Sequence, residues 1–352
     1  MQSLDNRDFV LQHDPKGMYG LFVDFPEQCE RALTATKDTP LPFDAKPTHC
    51  VLTGMGGSAA GGDFLKCLFD DAGTVPFVVN RDYALPAYVG SDTLLFCTSY
   101  SGNTEETIAA YEQAKAKGAT IYCVTSGGKL ADMARADGFP LVIIPGGQPP
   151  RTALGYMLIP VVYICEKLGL IPAQDYNQLF ALLKSLREKW VVEVPFAQNP
   201  AKEIGTACYG RLSLVYGLGG WHLYAANRWK GQINENSKNH TFINTFPELN
   251  HNEILAWMKC SKQGVSDWLI LNIQDGTESA KLKRRLEISM ELIGDQAEKM
   301  DVFVEGSTVL EKMLATCYLG DFVSLYLAAL NEVDPEDIEW LHYLKAELAK
   351  VN

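Results

Sequence analysis

Three hydroxyl side chains stand close together before a predicted helix. Ser99, Ser101 and Thr104 lie within six residues of one another, directly after the apolar run at 94–97. Hydroxyl groups donate hydrogen bonds to phosphate oxygens, and so do the unpaired amides in the first turn of a helix. If the run is a strand of a parallel sheet, these hydroxyls lie at its carboxyl end, where open α/β sheets bind their ligands.

Ordinary helix capping is the alternative interpretation of the same segment. Asn103 is the predicted cap, and Glu106, three positions later, is its predicted capping-box partner. Serine and threonine are frequent at helix starts for that reason alone. Three hydroxyls and Gly102 in one short loop exceed what capping requires, which favours a phosphate site.

A glycine-rich turn, Gly-Met-Gly-Gly-Ser, occupies 54–58 between the apolar run at 50–53 and a helical segment. Glycine lets the backbone approach a ligand closely. The turn is a weak signal alone, because tight strand–helix turns without a ligand are equally common. It is not a P-loop, since the lysine is missing, and Ala59 stands where a dinucleotide fingerprint needs its last glycine.

Two polar strings later in the chain have side chains that can move protons. Glu235 lies between asparagines at 234–236, and His251 lies in Asn-His-Asn-Glu at 250–253. Aldose–ketose isomerisation needs a ring-opening group, a base that carries a proton between C2 and C1, and positive charge near the enediolate. Taken singly, a glutamate or histidine at such a place is more often solvated than catalytic.

The two loops together resemble the sugar isomerase (SIS) domain. The resemblance rests on 54–58 and on Ser-Tyr-Ser-Gly-Asn-Thr-Glu-Glu-Thr at 99–107. Members of that superfamily bind phosphosugars at these loops. The resemblance implies phosphate contacts from Gly57, Ser58, Ser99, Ser101 and Thr104.

The polar strings extend the resemblance to one family. The segments at 147–151, 234–236 and 247–253 are similar to those of bifunctional phosphoglucose/phosphomannose isomerases, and the similarity covers nearly the whole chain. It implies that glucose 6-phosphate, and mannose 6-phosphate as well, is interconverted with fructose 6-phosphate through an enediolate, with no metal and no other cofactor. It also implies a homodimer whose active sites are shared across the interface.

The same resemblance implies a role for each candidate residue. Glu235 is the expected base, and partial burial would suit it by raising its pKa. His251, supplied by the other subunit, is expected to open the ring. Arg151 is expected to stabilise the enediolate, and Lys345 to lie near the sugar on the last helix. The chain departs from the family pattern at Glu336, where the family has a hydroxyl, and this difference is expected to affect acceptance of the mannose epimer.

Apolar strand-like runs alternate with helical segments in two regions of the chain. The predicted strands are 50–53, 77–79, 94–97, 121–124, 141–144, 212–216, 268–271 and 302–304, and the main predicted helices are 23–36, 60–69, 104–117, 129–136, 152–168, 174–191, 221–232, 251–259, 278–293, 308–329 and 336–350. Both regions open with a strand, a G-x-G-G turn and a helix, at 54–57 and 217–220. The pattern predicts an α/β fold of two duplicated, doubly wound parallel-sheet domains of the SIS type, each a flavodoxin-like three-layer sandwich.

The predicted boundaries follow from these regions. An N-terminal helical extension at 1–47 ends in a loop with three prolines, and a first SIS domain at 48–152 binds the phosphate. A helical linker at 153–205 leads to a second SIS domain at 206–352, whose C-terminal helix reaches the active site. Residues in excess of compact family members are expected in 1–47 and 172–205. The three prolines are Pro40, Pro42 and Pro47.

Composition excludes several classes of function. The formal net charge is −12, whereas nucleic-acid binding requires basic patches. The nine cysteines include no C-x-x-C pair, and the six histidines include no H-x-x-x-H pair, so no metal set is expected. The start of the chain has no apolar signal region, and no long apolar run is present, so a cytoplasmic protein without a membrane segment is expected.

Three functions remain in competition. The favoured one is the isomerase. A non-catalytic phosphosugar sensor would keep the hydroxyl loop without needing Glu235 and His251, but such regulators usually carry a basic recognition helix, which the sequence lacks. An aminosugar-phosphate enzyme would need an ammonia source, and the chain has no N-terminal cysteine nucleophile.

Overall fold

A computed structural model describes residues 2–41, 47–348 and 350 of the chain. Of the predicted proline loop, Pro42 lies outside the described residues. The first elements are α1 (Arg7–Gln12), α2 (Met18–Val23), α3 (Phe25–Lys37), β1 (His49–Thr53), α4 (Gly56–Ala72), β2 (Phe77–Asn80), β3 (Thr93–Ser99), α5 (Glu105–Ala116), β4 (Thr120–Thr125), α6 (Gly128–Asp137), β5 (Leu141–Ile143) and α7 (Leu154–Lys167). There follow α8 (Tyr176–Trp190), α9 (Pro200–Cys208), β6 (Leu212–Gly217), α10 (His222–Ser237), β7 (Thr241–Thr245), β8 (Trp268–Gln274), α11 (Ala280–Ile293), β9 (Glu298–Phe303), α12 (Val309–Leu330) and α13 (Glu339–Leu348).

The chain divides into two units, each with its own sheet. The first-sheet unit contains Asp24–Lys184 and Thr308–Glu311. The second-sheet unit contains Met1–Val23, Ser185–Ser307 and Lys312–Asn352.

The first-sheet unit is built on a five-stranded parallel sheet in the order β2-β1-β3-β4-β5. All seven residues of β3 are buried, as a central strand covered on both faces requires. The chain moves to one side after β1 and to the other after β3. The loops that follow these two strands therefore open together at the point where the strand order reverses.

The second-sheet unit repeats this pattern with four parallel strands in the order β7-β6-β8-β9. β6 corresponds to β1 in position, and β8 corresponds to β3. Leu214, Ile270, Leu286 and Phe246 belong to its core, which lies between the sheet and α11. The predicted duplication of a doubly wound α/β fold is therefore confirmed.

Several element predictions need correction in the second-sheet unit. β7 was not predicted, because its polar and half-exposed residues give no continuous apolar run. α10 continues to Ser237, beyond the predicted end at 232, so Glu235 lies on the helix. The predicted helix at 251–259 is a 3-10 helix, Glu253–Gln263, interrupted by non-helical Lys259.

One helix among the described residues, α12, is long and apolar enough to cross a membrane by length and composition. Within its most apolar stretch, 94% of the residues are buried inside the protein. A core helix of a soluble protein meets the same criterion, so the finding is weak evidence for a membrane segment.

Candidate active site

Two helices begin beside each other at the reversal point of the first sheet. α4 starts at Gly56 after β1, and α5 starts at Glu105 after β3. Neither N-cap side chain, that of Met55 or that of Thr104, accepts a hydrogen bond from the amides of the first turn. These amides and the positive ends of two helix dipoles therefore suit an anion.

The loop hydroxyls are fixed by the backbone around them. Ser58 Oγ accepts a hydrogen bond from the Tyr100 amide at 3.1 Å, and Ser99 Oγ accepts one from the Gly102 amide at 3.1 Å. Ser99 Oγ and Thr104 Oγ1 lie 2.9 Å apart. Accepting an N–H bond occupies an oxygen lone pair and leaves the hydroxyl proton to be donated elsewhere. This arrangement orients neutral donors for a phosphate group.

Ser101 belongs to the same loop but is exposed, and its Oγ accepts the Asn103 amide at 3.3 Å. The predicted capping box is wrong, because the N-cap residue of α5 is Thr104 rather than Asn103. The Asn103 side chain instead accepts a hydrogen bond from the Lys129 amide at 3.0 Å, near the start of α6. Asn103 therefore fixes the loop to the next helix and leaves the α5 amides without a side-chain cap.

Two glycines are required by close backbone contacts. A Cβ at Gly102, whose φ is +70°, would lie 1.8 Å from the carbonyl oxygen of Gly127. A Cβ at Gly57 would lie 2.8 Å from the carbonyl oxygen of Pro150 and 3.4 Å from the amide nitrogen of Arg151. The glycine at 57 thus allows the segment that carries Arg151 to pack against the first turn of α4.

Arg151 is buried within the 3-10 helix Pro150–Thr152. The segment before it is fixed to the hydroxyl loop, because the Gln148 amide donates to the Tyr100 hydroxyl at 3.2 Å. The first-sheet unit therefore brings the segment that carries Arg151 next to Gly57 and to the loop that carries the hydroxyls. An arginine beside neutral donors adds the positive charge that an anionic ligand or an enediolate needs.

Glu235 lies in the last turn of α10, with its side chain exposed. The end of this helix is anchored to α12, since Asn236 Nδ2 donates to Ser324 Oγ at 3.0 Å and Ser237 Oγ donates to the Ser324 carbonyl at 2.8 Å. The partial burial expected for Glu235 is not found within the single chain. These hydrogen bonds hold the helix end in place, and Glu235 is exposed on it.

His251 ends the 3-10 helix Glu248–His251 and is also exposed. The neighbouring residues hold this segment in place. Asn250 Nδ2 donates to Ser289 Oγ at 2.8 Å, and the Glu253 carboxylate accepts Asn244 Nδ2 at 2.7 Å. Tyr216 also donates its hydroxyl to Glu253.

Glu235 and His251 lie at opposite ends of the strands of the second sheet. Next to Glu235, the Asn234 side chain accepts the amide of Thr241, the first residue of β7, at 2.9 Å. At the other end, the Phe246 amide donates to Gly217, the last residue of β6, at 2.8 Å, and His251 follows five residues later. A strand of five residues spans about 16 Å. Within one chain, the predicted base and the predicted ring-opening group are therefore far apart.

Comparison with known proteins decides the family. The SIS domain family matches residues 44–137, and the family described as bacterial phospho-glucose isomerase C-terminal SIS domain matches residues 197–348. The bifunctional phosphoglucose/phosphomannose isomerase of Caldicellulosiruptor bescii is 41% identical over 338 residues, which cover 95% of this chain and 99% of that protein. The protein of the same name from Aquifex aeolicus is 34% identical over 302 residues, covering 85% of this chain and 90% of that protein.

The chain belongs to the bifunctional phosphoglucose/phosphomannose isomerase family. Among solved structures, a hypothetical protein of Thermus thermophilus has a TM-score of 0.74 at 16% identity, covering 99% of this chain and 94% of that one. At that identity the likeness concerns the fold alone. It agrees with the two SIS-type units described above.

The two remaining candidate residues of this family member lie toward the end of the chain. Lys345 is exposed on α13, together with the exposed aromatic residues Trp340 and Tyr343. Glu336 precedes α13, and its amide donates to Asp334 Oδ1 at 2.8 Å.

The segment that carries Glu336 lies next to the end of α10. Lys238 Nζ donates both to the Glu235 carbonyl at 2.9 Å and to the Asp334 carbonyl at 2.6 Å. The position where the chain departs from the family pattern is therefore close to the predicted base.

A cavity of about 180 Å³ in the second-sheet unit lies elsewhere. It is lined by residues of α8, α9, β9 and α12, among them Leu186, Ile204, Phe303 and Leu319. None of the predicted site residues belongs to its lining.

One cluster was missed by the sequence analysis. His222, Asp275 and Glu278 place potential metal-ligating atoms within 4.8 Å of one another. His222 follows β6, whereas the two acidic residues follow β8, so no short sequence motif contains all three. Only the strand order brings them together, and a search for H-x-x-x-H spacing does not detect such a set.

Proposed function

We propose that this chain interconverts glucose 6-phosphate and fructose 6-phosphate and that it also accepts mannose 6-phosphate. The proposal is supported above all by the hydroxyl loop, two uncapped helix starts and Arg151 in one place of the first-sheet unit. Family membership gives the substrate class, because the relatives in Caldicellulosiruptor bescii and Aquifex aeolicus bear the name of this activity.

The proposed reaction is an internal transfer of hydrogen. With the phosphate held by Gly57, Ser58, Ser99, Ser101 and Thr104, the Glu235 carboxylate removes the proton from C2 of the open-chain aldose. The electrons of the broken C2–H bond form the C1=C2 bond, while those of the C1=O double bond move to O1, which gives an enediolate whose charge Arg151 stabilises. One proton passes from O2 to O1, and the same carboxylate returns its proton to C1 while C2 becomes the ketone carbon. No external oxidant or cofactor is needed, because the substrate is both oxidised and reduced.

Glucose and mannose 6-phosphate differ only at C2, and the enediolate has lost that stereocentre. One base can therefore serve both sugars if the bound open-chain sugar can rotate about its C2–C3 bond. We propose that Glu336, next to the end of α10, affects the balance between the two epimers.

A homodimer with shared sites is part of the proposal. Since Glu235 and His251 lie at opposite ends of the strands of one sheet, a site that uses both takes His251 from a second copy of the chain. His251 would then open the sugar ring by proton transfer at the ring oxygen, and Lys345 on α13 would assist near the sugar. The exposed aromatic residues of α13 are suited to an interface between copies.

The nine cysteines are all free and buried in the described structure, which is compatible with a reducing compartment. We therefore propose a cytoplasmic location. No partner beyond the second copy and the sugar phosphate is proposed.

The test is a coupled assay of the purified protein with each sugar phosphate, repeated with Glu235→Gln. We expect turnover of both sugars by the native chain. In the variant, kcat is expected to fall by at least about a thousandfold, because the amide cannot accept the proton, while affinity for the sugar phosphate in titration calorimetry stays within about threefold. Glu188→Gln is the matched control, because Glu188 is a similarly exposed glutamate on α8.

Retained isomerase activity in Glu235→Gln would remove Glu235 from the mechanism. If the native chain binds both sugar phosphates but converts neither, the protein is instead a phosphosugar-binding regulator. If it neither binds nor converts them, the phosphate site itself is wrong.

A further inference from the structure

The second sheet has its own reversal point, and the side chains there differ in kind from those of the first. In the first sheet the loops after β1 and β3 carry neutral hydroxyls. In the second sheet the equivalent loops after β6 and β8 lead into His222, Asp275 and Glu278. Two carboxylates repel a phosphate, so this place is suited to a cation.

The three side chains are nearly inaccessible to solvent. The exposed fractions of the side chains are 5% for His222, 3% for Asp275 and 2% for Glu278. Buried carboxylates must be paired or coordinated, because an unpaired charge away from water is strongly destabilising.

The imidazole of His222 has a defined orientation and tautomer. Its Nδ1 lies 2.9 Å from the carbonyl oxygen of Gly219, which can only accept, so Nδ1 carries the hydrogen. The ring also stacks on Trp221, with ring centroids 3.9 Å apart. With the hydrogen on Nδ1, Nε2 of the neutral ring presents a lone pair.

This lone pair faces a carboxylate. Nε2 lies 3.7 Å from Glu278 Oε1, and among the described residues neither Nε2 nor Glu278 Oε2 has a hydrogen-bond partner. Two acceptors that face each other repel unless a proton or a metal ion lies between them. A backbone carbonyl that fixes Nδ1–H and leaves Nε2 for coordination is the usual support of a metal-binding histidine.

Nearby lysines account for part of the negative charge only. Lys312 Nζ lies 2.9 Å from Asp275 Oδ2, and Thr277 donates two hydrogen bonds to Asp275 Oδ1. Lys283 Nζ lies 4.0 Å from Glu278 Oε2, beyond hydrogen-bond distance, and its side chain is 43% exposed. Glu278 Oε1 accepts the Asp275 amide at 2.6 Å, which positions the carboxylate without neutralising it.

We propose that His222, Asp275 and Glu278 bind one divalent transition-metal ion of the zinc and manganese class, which ties the loops after β6 and β8 together. One imidazole nitrogen and two carboxylate oxygens are suitable ligands for such ions. Helix α10 separates His222 from Glu235 by thirteen residues, or about 20 Å along its axis. The ion therefore stabilises the second-sheet unit and takes no part in proton transfer.

The test begins with protein freed of metal by a chelator and titrated with Co²⁺ in a calorimeter and by absorbance. We expect one ion per chain, a rise in melting temperature, and quenching of Trp221 fluorescence. Glu278→Gln and His222→Phe are each expected to weaken binding at least about tenfold and to abolish the thermal shift, whereas isomerase kcat with excess chelator, measured well below the melting temperature, stays unchanged.

His240→Asn is the matched control, because His240 is an exposed histidine of the same unit, and we expect it to bind Co²⁺ like the native chain. Lys312→Met is expected to tighten binding, because it removes a competing positive charge from Asp275. If His222→Phe fails to fold, Glu278→Gln, which keeps the side-chain shape, decides the matter.

Three outcomes would overturn the proposal. The first is that the native chain binds no Co²⁺, and the second is that binding is equally tight after Glu278→Gln. The third is a thiolate charge-transfer band in the spectrum, which would mean that cysteines hold the ion.

Discussion

At the residue scale, the shared hydrogen bond between Ser99 and Thr104 makes these two hydroxyls a single unit. Thr104→Val keeps the branched shape but removes the hydroxyl that we propose donates to phosphate. Loss of one hydrogen bond to a charged group costs about 1.5–3 kcal/mol, so KM for glucose 6-phosphate is expected to rise roughly 10- to 100-fold with a smaller change in kcat. Steady-state kinetics on both sugar phosphates measure this effect.

Thr107→Val is the matched control. Thr107 is fully buried on the same helix, and its hydroxyl has no hydrogen-bond partner among the described residues. We expect KM to be unchanged and the fold to be at least as stable as before, because a buried hydroxyl without a hydrogen-bond partner carries a desolvation cost that valine lacks. Equal KM in Thr104→Val and the native chain would place the phosphate elsewhere.

The position of the hydroxyl loop could be predicted from sequence because its signal is local. Ser99, Ser101 and Thr104 share one loop, and the strand before them fixes the edge at which that loop lies. The cap of α5 was mispredicted at Asn103, since the sequence does not show that Asn103 bonds to the start of α6. The His222 cluster could not be predicted, because its members come together only through the pairing of β6 with β8.

At the element scale, the seam between α10 and α12 contains a buried carboxyl that should make stability depend on pH. Burial raises the pKa of Asp321 to about 6, although Arg228 and a hydrogen bond from Gln232 lower it in part. The folded state therefore holds this proton more tightly than the unfolded state does. The contribution to stability is present below about pH 4 and is lost as pH rises through 6.

Asp321→Asn keeps the shape and the acceptor for Gln232 but cannot ionise. Relative to the native chain, the variant is expected to gain stability as pH rises from about 4 to 7, by a few kcal/mol at most. Denaturant titrations at several pH values measure the difference. Asp132→Asn, at an exposed position of α6, should show no such trend. A constant difference between Asp321→Asn and the native chain across this range would mean that Asp321 is already ionised near pH 4.

Strands could be predicted where both of their faces are buried, and they were missed where one face is exposed. The buried strands β1, β3 and β4 read as continuous apolar runs, and the structure has them in those places. β7 is the outer strand of its sheet, and Phe242 on it is exposed. Polar residues therefore interrupt the hydrophobic pattern by which a strand is recognised. The missed strand matters for the proposed site, because it is the element that separates Glu235 from His251.

At the scale of the whole molecule, duplication has produced two reversal points with opposite electrostatics. The first accumulates neutral donors and Arg151, which suit a phosphosugar. The second accumulates buried carboxylates and an imidazole, for which we propose a metal ion. Repetition of a fold therefore does not repeat its chemistry, since the ligand is selected by a few side chains at the ends of two strands.

The separation of Glu235 and His251 within one chain makes a prediction about the assembly. If each site takes Glu235 from one subunit and His251 from the other, a dimer of Glu235→Gln with His251→Ala contains one site with both residues native and one site with neither. Each variant alone should be nearly inactive. A mixture in equal amounts, refolded or co-expressed to exchange subunits, should recover about a quarter of native activity, because half of the dimers are mixed and each has one native site.

Mixed dimers carrying two different tags can be isolated and assayed directly, and they should reach about half of native kcat per dimer. Two differently tagged copies of Glu235→Gln, purified in the same way, give the background. Mixed dimers that bind sugar phosphate but remain at that background would show that both residues act from one subunit. A movement within the chain would then have to close the distance of five strand residues between Glu235 and His251. The proposed assembly with shared sites would be wrong.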